Sequence, residues 1–230
     1  MNKEKLENTS QEIIEKTAQF VRRQLENAEG GHDWNHIERV RKVALHIANT
    51  EQKGDLLVIE LAALLHDIAD AKFHNGDETI GPKMAGEFLQ SVNLPEDLTG
   101  HVVNIIEHIS FRKRFTVGFD SIELRIVQDA DRLDAIGALG IARAFSYGGF
   151  KNRPLYDPGE SDRESILSGE LSLQDTNQGK VSSNHTIGHF YEKLLLISKL
   201  MNTETAKKLA SERHEFMERF LDQFYKEWYF

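Results

Sequence analysis

Four residues carry the chemistry this sequence offers most plainly: His36, the adjacent pair His66 and Asp67, and Asp131. Each comes from an apolar neighbourhood, where an uncompensated carboxylate is costly. The clearest case is the stretch Leu61 to Asp70, LAALLHDIAD, an apolar run that ends in a neutral nitrogen donor followed by a hard oxygen donor. Either a metal ion or a set of hydrogen bonds must compensate such a pair. Two imidazoles and two carboxylates suit a hard-to-borderline divalent cation (manganese, magnesium, iron, cobalt or nickel, with manganese preferred), and an octahedral shell leaves about two positions open. Water and a phosphate oxygen can share those positions, which is the basis of metal-assisted phosphoryl hydrolysis. Asp129 competes with Asp131 for the fourth place, but residues two apart point to opposite sides of a helix. Asp131 is preferred because Asp134 then falls on its side as a partner.

The elements that must position these residues read as helices. Thr9 to Glu12, TSQE, has the form of a capping box, and Ile14, Ala18, Val21 and Leu25 follow at helical spacing until Gly30 and Gly31. The second helical segment places Ile37, Val40, Ala44 and Ile47 on one face and stops at Gly54, with His36 at the edge of that face. His32 and Asp33 stand where they can cap it or support the site. Asp55 can cap a third helix, apolar nearly all round and therefore buried, in which Glu60 is the one charge between Leu56 and Leu65. A polar loop follows Asp70. Pro82 and Pro95 each suit the first turn of a helix, and Leu98, Val102, Ile105 and Ile109 form a stripe in the second of these.

Arg112, Lys113 and Arg114 make a small basic cluster in a connection. From Asp120 one long helical pattern runs to Gly148 and Gly149, with small residues Ala130, Gly137, Gly140 and Ala144 on its inner side. Residues 150–185 show little hydrophobic periodicity and are expected to form a lid, a flexible segment or a partner-binding arm. Two helices close the chain. In the last, Arg213 falls on the stripe of Ala206, Leu209, Met217, Phe220 and Phe224, and is expected to reach a buried acid or a phosphate, or to extend to solvent. No strand or internal repeat is evident. The expectation is an all-α fold, one compact helical domain spanning 1–230 with about seven or eight helices.

Composition narrows the classes. With 230 residues, 40% hydrophobic and 28% charged, the chain is long enough to bury a core. A net charge of −9 argues against wholesale binding of a nucleic acid backbone, but not against a phosphorylated small molecule, since a metal supplies local positive charge. The absence of cysteine removes thiolate zinc sites and thiol nucleophiles. No apolar run reaches the roughly 18 residues of a membrane span, and the N-terminus lacks a signal-peptide core. The expectation is a cytoplasmic protein with no membrane partner, and a homodimer is compatible with it.

The motifs GHDWNHIERV, LLHDIAD, VQDADRLDAIGALGIAR and HFYEKLLLI together resemble the HD-domain superfamily of metal-dependent phosphohydrolases, in its stand-alone bacterial nucleotide (pyro)phosphohydrolase branch, over roughly residues 10 to 229. The resemblance implies that His36, His66, Asp67 and Asp131 hold one divalent metal ion. It implies that Asp70 orients the attacking water, with a plain surface acid as the alternative. Lys72 is a phosphate contact or an exposed lysine without a role. His101 and His108, seven apart, share a helix face, and His108 is kept as a substrate contact or as a residue that supports the metal's ligands. His189 falls in the family's HFYEKLL segment. The implied reaction is hydrolysis of a (deoxy)nucleoside triphosphate to monophosphate and pyrophosphate. A 5′-nucleotidase, another phosphomonoesterase or phosphodiesterase, and a non-catalytic metal- or nucleotide-binding regulatory module remain the alternatives.

Overall fold

A cluster of helix-favouring charged residues opens the chain, and the computed structural model extends the first helix across it. It describes residues 3–26, 33–69, 77, 79–109, 118–159 and 183–230. Helix α1 is Lys3–Gln24, so it starts before the capping box at Thr9 instead of at it. Lys, Glu and Leu are good helix formers and nothing in KEKLE interrupts them. Ile14 and Val21 are buried as expected, and Thr17 joins them by donating its hydroxyl to Ile13 O at 2.8 Å.

Helix α2, Trp34–Glu51, buries Ile37, Val40, Ala44 and Ile47 and ends in Gln52 at a left-handed φ of 54°. Helix α3, Leu56–Leu65, begins on Asp55, whose carboxylate accepts the amides of Leu57 and Val58. Val58, Ile59, Leu61, Ala62, Ala63, Leu64 and Leu65 are all buried. Each of the larger side chains contributes about 1.5–3 kcal/mol of transfer free energy, which makes α3 the centre of its core. It packs against α1, α2 and α5, the last being Glu96–His108. Helix α4, Ile80–Ser91, packs on α5, and its Phe88 ring stacks on Phe20 with centroids 4.2 Å apart. Pro82 lies in the first turn of α4, whereas Pro95 is the residue that precedes α5.

The single long helix expected from Asp120 onward is two helices, α6 at Ile122–Asp134 and α7 at Gly137–Phe150. Ile136 is extended and Gly137 takes φ +78°, a left-handed conformation that glycine adopts freely and other residues do not. The short inter-residue spacing of apolar positions continues through the break, so periodicity alone did not reveal it.

After α7, the carbonyls of Pro154 and Leu155 accept the amides of Thr186 and Ile187 at 2.9 and 3.0 Å. The described start of the 150–185 segment is thus tied down, and Tyr156 packs edge-on against His185, Tyr225 and Trp228. Residues 160–182, most of the proposed lid, lie outside the described residues, as does the basic cluster at 112–114. Helix α8 is composite: Thr186–His189 is α, Phe190–Leu194 is a π turn, Leu195–Ile197 is α and Ser198–Leu200 is 3-10. Helix α9, Glu204–Trp228, starts on Thr203, which accepts the Ala206 amide, and packs on α7.

Among the described residues there is no strand, and the chain is all-helical. Its contacts fall into two compact units, Met1–Ala130 and Asp131–Phe230. No helix among the described residues is long and apolar enough to cross a membrane.

Candidate metal centre

In the first unit, His36 is placed by the start of α2. Asp33 is the residue before that helix, and its Oδ1 accepts the His36 amide at 2.9 Å. Burial pushes the Asp33 carboxyl up, but the His36 amide, the Asn35 side chain and amide, and the charge of Arg39 hold it below its ordinary value. Asp33 therefore stays ionised as a cap, and His36 sits in the first turn of α2 with only 1% of its surface exposed.

His66 is placed by the end of α3. It directly follows Leu65, and its Nδ1 lies 2.9 Å from Ala63 O. A carbonyl oxygen only accepts, so Nδ1 carries a proton and Nε2 is the nitrogen left to face the cluster. That nitrogen faces Nε2 of His36 at 3.3 Å, the rings meeting edge-on with centroids 5.3 Å apart. Asp67 follows in the turn that ends α3. His36, His66 and Asp67 each offer one ligand atom, and the three atoms lie within 4.8 Å of one another.

This donor set fits a divalent ion. Two imidazole nitrogens that are each about 2.0–2.1 Å from one ion can stand 3.3 Å apart. A carboxylate beside them adds a hard oxygen donor, the mixed nitrogen and oxygen set that first-row divalent metals accept.

An ion-pair cluster that sequence reasoning missed ties α2 and α3 together. Arg41 on α2 donates from Nε to Glu60 Oε1 on α3 at 2.8 Å, and from Nη1 to Glu38 at 3.4 Å. Burial pulls the Arg41 pKa down, but Glu60 and Glu38 raise it above its ordinary value. The signal was present in Glu60, the single charge in an apolar run, but its partner cannot be read from spacing.

The remaining sequence candidates fall in several places. Asp70 and Lys72 lie outside the described residues, together with His32 and His74. His108 ends α5, donating from Nδ1 to Asn104 O at 2.8 Å, with its ring 5.4 Å from that of Phe119. His101 shares that Phe119 contact but lies 3.2 Å from Glu123 Oε2. Asp129 is fully buried on α6 and Asp131 is half-buried, and the cluster of His36, His66 and Asp67 does not include Asp131.

In the second unit, Asp134 pairs with Arg143 Nη1 at 2.9 Å. Arg213 donates to the carbonyl oxygen of Leu133 and also feels the charge of the buried Asp134 carboxylate, so of the partners expected from the sequence it meets a buried acid, with a backbone acceptor beside it. His185 precedes α8 and accepts the Gly188 amide on Nδ1 at 3.0 Å. His189 is pushed down to about 4 by burial and by the charges of Lys193 and Arg153, so it is neutral at neutral pH.

Residues 33–136 match the HD-domain family model, and the chain belongs to the HD-domain superfamily of metal-dependent phosphohydrolases. Its relatives include the uncharacterized protein YpgQ of Bacillus subtilis, 38% identical over 212 residues, with 90% of each chain covered. The crystal structure of an HD-superfamily hydrolase from Bacillus thuringiensis is 43% identical with a TM-score of 0.72, covering 95% of this chain and 98% of that one. The crystal structure of YpgQ in complex with ADP superposes with a TM-score of 0.73 and 34% identity, covering 95% of this chain and 96% of that one.

Proposed function

We propose that this chain hydrolyses (deoxy)nucleoside triphosphates to the nucleoside monophosphate and pyrophosphate. The observation that carries the proposal is the convergence of His36, His66 and Asp67 in a chain of the HD-domain superfamily. The complex of its relative YpgQ with ADP supports a nucleotide as the ligand.

In this reading His36, His66, Asp67 and Asp131 hold one divalent ion, with manganese preferred. When bound, the ion supplies Lewis acidity toward the phosphate and makes water more acidic. The chain's own residues do the rest. The hydrogen bond from Nδ1 to Ala63 O holds the His66 ring in the tautomer that presents Nε2. Asp70 orients the attacking water and accepts its proton, the role of a general base. Lys72 and His108 contact the substrate. Asp134, at the end of the turn that begins with Asp131, supports that ligand from the same helix. Water adds across the anhydride between the α- and β-phosphates, the Pα–O bond breaks, and pyrophosphate leaves. A nucleotide substrate suits a cytoplasmic protein.

The test is incubation of the purified protein with manganese and a panel of nucleoside mono-, di- and triphosphates, with separate assays for pyrophosphate and orthophosphate. Pyrophosphate released from triphosphates is the expected result. Orthophosphate released from monophosphates would replace the reading with 5′-nucleotidase. No turnover of any nucleotide would place the substrate in another class of phosphate ester.

A further inference from the structure

The last turn of α6, which carries Asp131, is held in the second unit by arginines from three elements. Arg132, on α6 itself, donates from Nη1 to Leu200 O at 2.6 Å, at the end of α8. Arg143 on α7 donates from Nη1 to the Asp134 carboxylate at 2.9 Å and to Asp134 O at 3.4 Å. Arg213 on α9 donates from Nη1 to Leu133 O. The terminal carbonyls of a helix lack partners within it and are met by side chains, by water or by 3-10-type bonds that tighten the last turn. Here Arg132 O accepts the Ala135 amide, Leu133 O accepts the Ile136 amide as well as Arg213, and Asp134 O accepts Arg143.

The elbow between α6 and α7 is shaped to admit Arg213. Gly137 takes φ +78°, and a Cβ there would stand 3.0 Å from Arg213 Cγ, 3.1 Å from its Cβ and 3.3 Å from its Cδ. The arginine stem thus lies on the bare glycine while its head group reaches past the elbow to Leu133. Burial pulls the Arg213 pKa down, and the carboxylates of Asp134 and Glu212 partly offset that. A merely solvated helix end requires neither a glycine at this position nor a half-buried cation above it.

We infer that Arg213, acting with Arg143, is a positioning residue that fixes the final turn of α6 and thereby the direction in which Asp131 presents its carboxylate. The inference rests on the reading of Asp131 as a metal ligand. Arg213 itself touches neither metal nor substrate. Its fork spans the gap to a carbonyl that a lysine reaches with a single, less oriented donor, and a ligand must be held to within about 0.5 Å to keep its geometry.

The test is a titration of metal-free protein with manganese, following free ion by electron paramagnetic resonance, on Arg213→Met, Arg213→Lys, Asp131→Ala and Thr203→Ala. Arg213→Met keeps the stem on Gly137 and removes the donors. It is expected to weaken manganese binding about tenfold, the low end of the loss seen when a ligand's supporting partner is removed, with Arg213→Lys recovering part of that loss. Thr203→Ala removes the cap of the same helix α9 away from the elbow. It is expected to lower the melting temperature with unchanged manganese affinity.

Wild-type affinity in Arg213→Met, alongside lost binding in Asp131→Ala, would overturn the positioning role alone. Wild-type affinity in Asp131→Ala would overturn the ligand reading and the positioning role with it. Equal weakening in Arg213→Met and Thr203→Ala would show a general effect of destabilising α9, and would also overturn the positioning role.

Discussion

The two places where chemistry-bearing residues are held use opposite devices. In the first unit, the bonds that orient His36 and His66 are local: Asp33 accepts the amide of His36, and His66 donates to Ala63 O, each a partner three residues away. In the second unit, the turn that carries Asp131 is held by partners that are distant in sequence. Arg213 and Leu133 are 80 residues apart, and Arg132 and Leu200 are 68 apart. Local bonds form as soon as their helix does, because closing a short loop costs little entropy. Distant bonds exist only once the surrounding helices have packed. Side chains held in these two ways should therefore respond to mutation differently, through loss of a donor in the first case and loss of packing in the second.

The largest effect expected from this contrast is at a donor. Asp67→Ala removes one of the three clustered ligand atoms, and metal content and hydrolysis should be lost together, measured by metal analysis and product assay on the same preparation. Asp70→Ala should keep its metal while turnover falls on the order of 10²–10⁴-fold, the usual contribution of a positioned general base. Retained turnover in Asp70→Ala would remove that residue from the mechanism.

Next in size is a distant bond that serves the local end, between Arg41 and Glu60. Arg41→Met leaves Glu60, whose side chain is only 12% exposed, without its partner on α2. Partial exposure keeps the penalty toward the low end for a broken buried pair, about 3 kcal/mol, measured by urea denaturation. A change below about 0.5 kcal/mol, the ordinary range for a surface substitution, would show that α2 and α3 are joined by their apolar faces alone.

The second unit should carry an acid sensitivity of its own. His189 is protonated only near pH 4 in the folded chain, against 6.5 when unfolded, so between those values the unfolded state binds more protons. Stability is then highest above about pH 6.5 and falls as the pH drops toward 4. The loss should reach about 2 kcal/mol between pH 7 and pH 5. Denaturation at the two values should show a correspondingly smaller loss in His189→Gln, and an equal loss would rule out His189 as its source.

The smallest effect belongs to the purely local device. Asp33→Ala should cost about 1 kcal/mol as a lost helix cap, lowering the melting temperature by about 2–4 °C in a chain of this length. Asp33→Asn should recover most of it, since an amide oxygen also caps.

The legibility of the molecule follows the same division. Ile37, Val40, Ala44 and Ile47 form the buried face of α2 as their spacing implies, and α3 is buried nearly throughout as its composition implies. Asp55 caps α3 where the sequence places a cap. The break after Asp134 was not legible. Its causes are a left-handed glycine and an arginine stem lying on it, while the apolar positions keep helical spacing straight through. The early start of α1 was missed for a related reason, since a capping signature at Thr9 says where a helix can begin and not that the residues before it cannot extend it. Arg41 was overlooked because an ion pair between helices leaves no period in either one.

The sequence by itself determined that the chain would be helical, that His36 would stand at the start of an amphipathic helix and His66 and Asp67 at the end of a buried one, and which class of chemistry such donors serve. Those features depend on residue type and on spacing within one or two turns. Only the tertiary structure decided that the nitrogens of His36 and His66 would meet at 3.3 Å, and that the turn bearing Asp131 would be held by arginines from beyond its own helix. Both depend on which helices pack together, a free-energy balance over the whole core that no single stretch of sequence encodes.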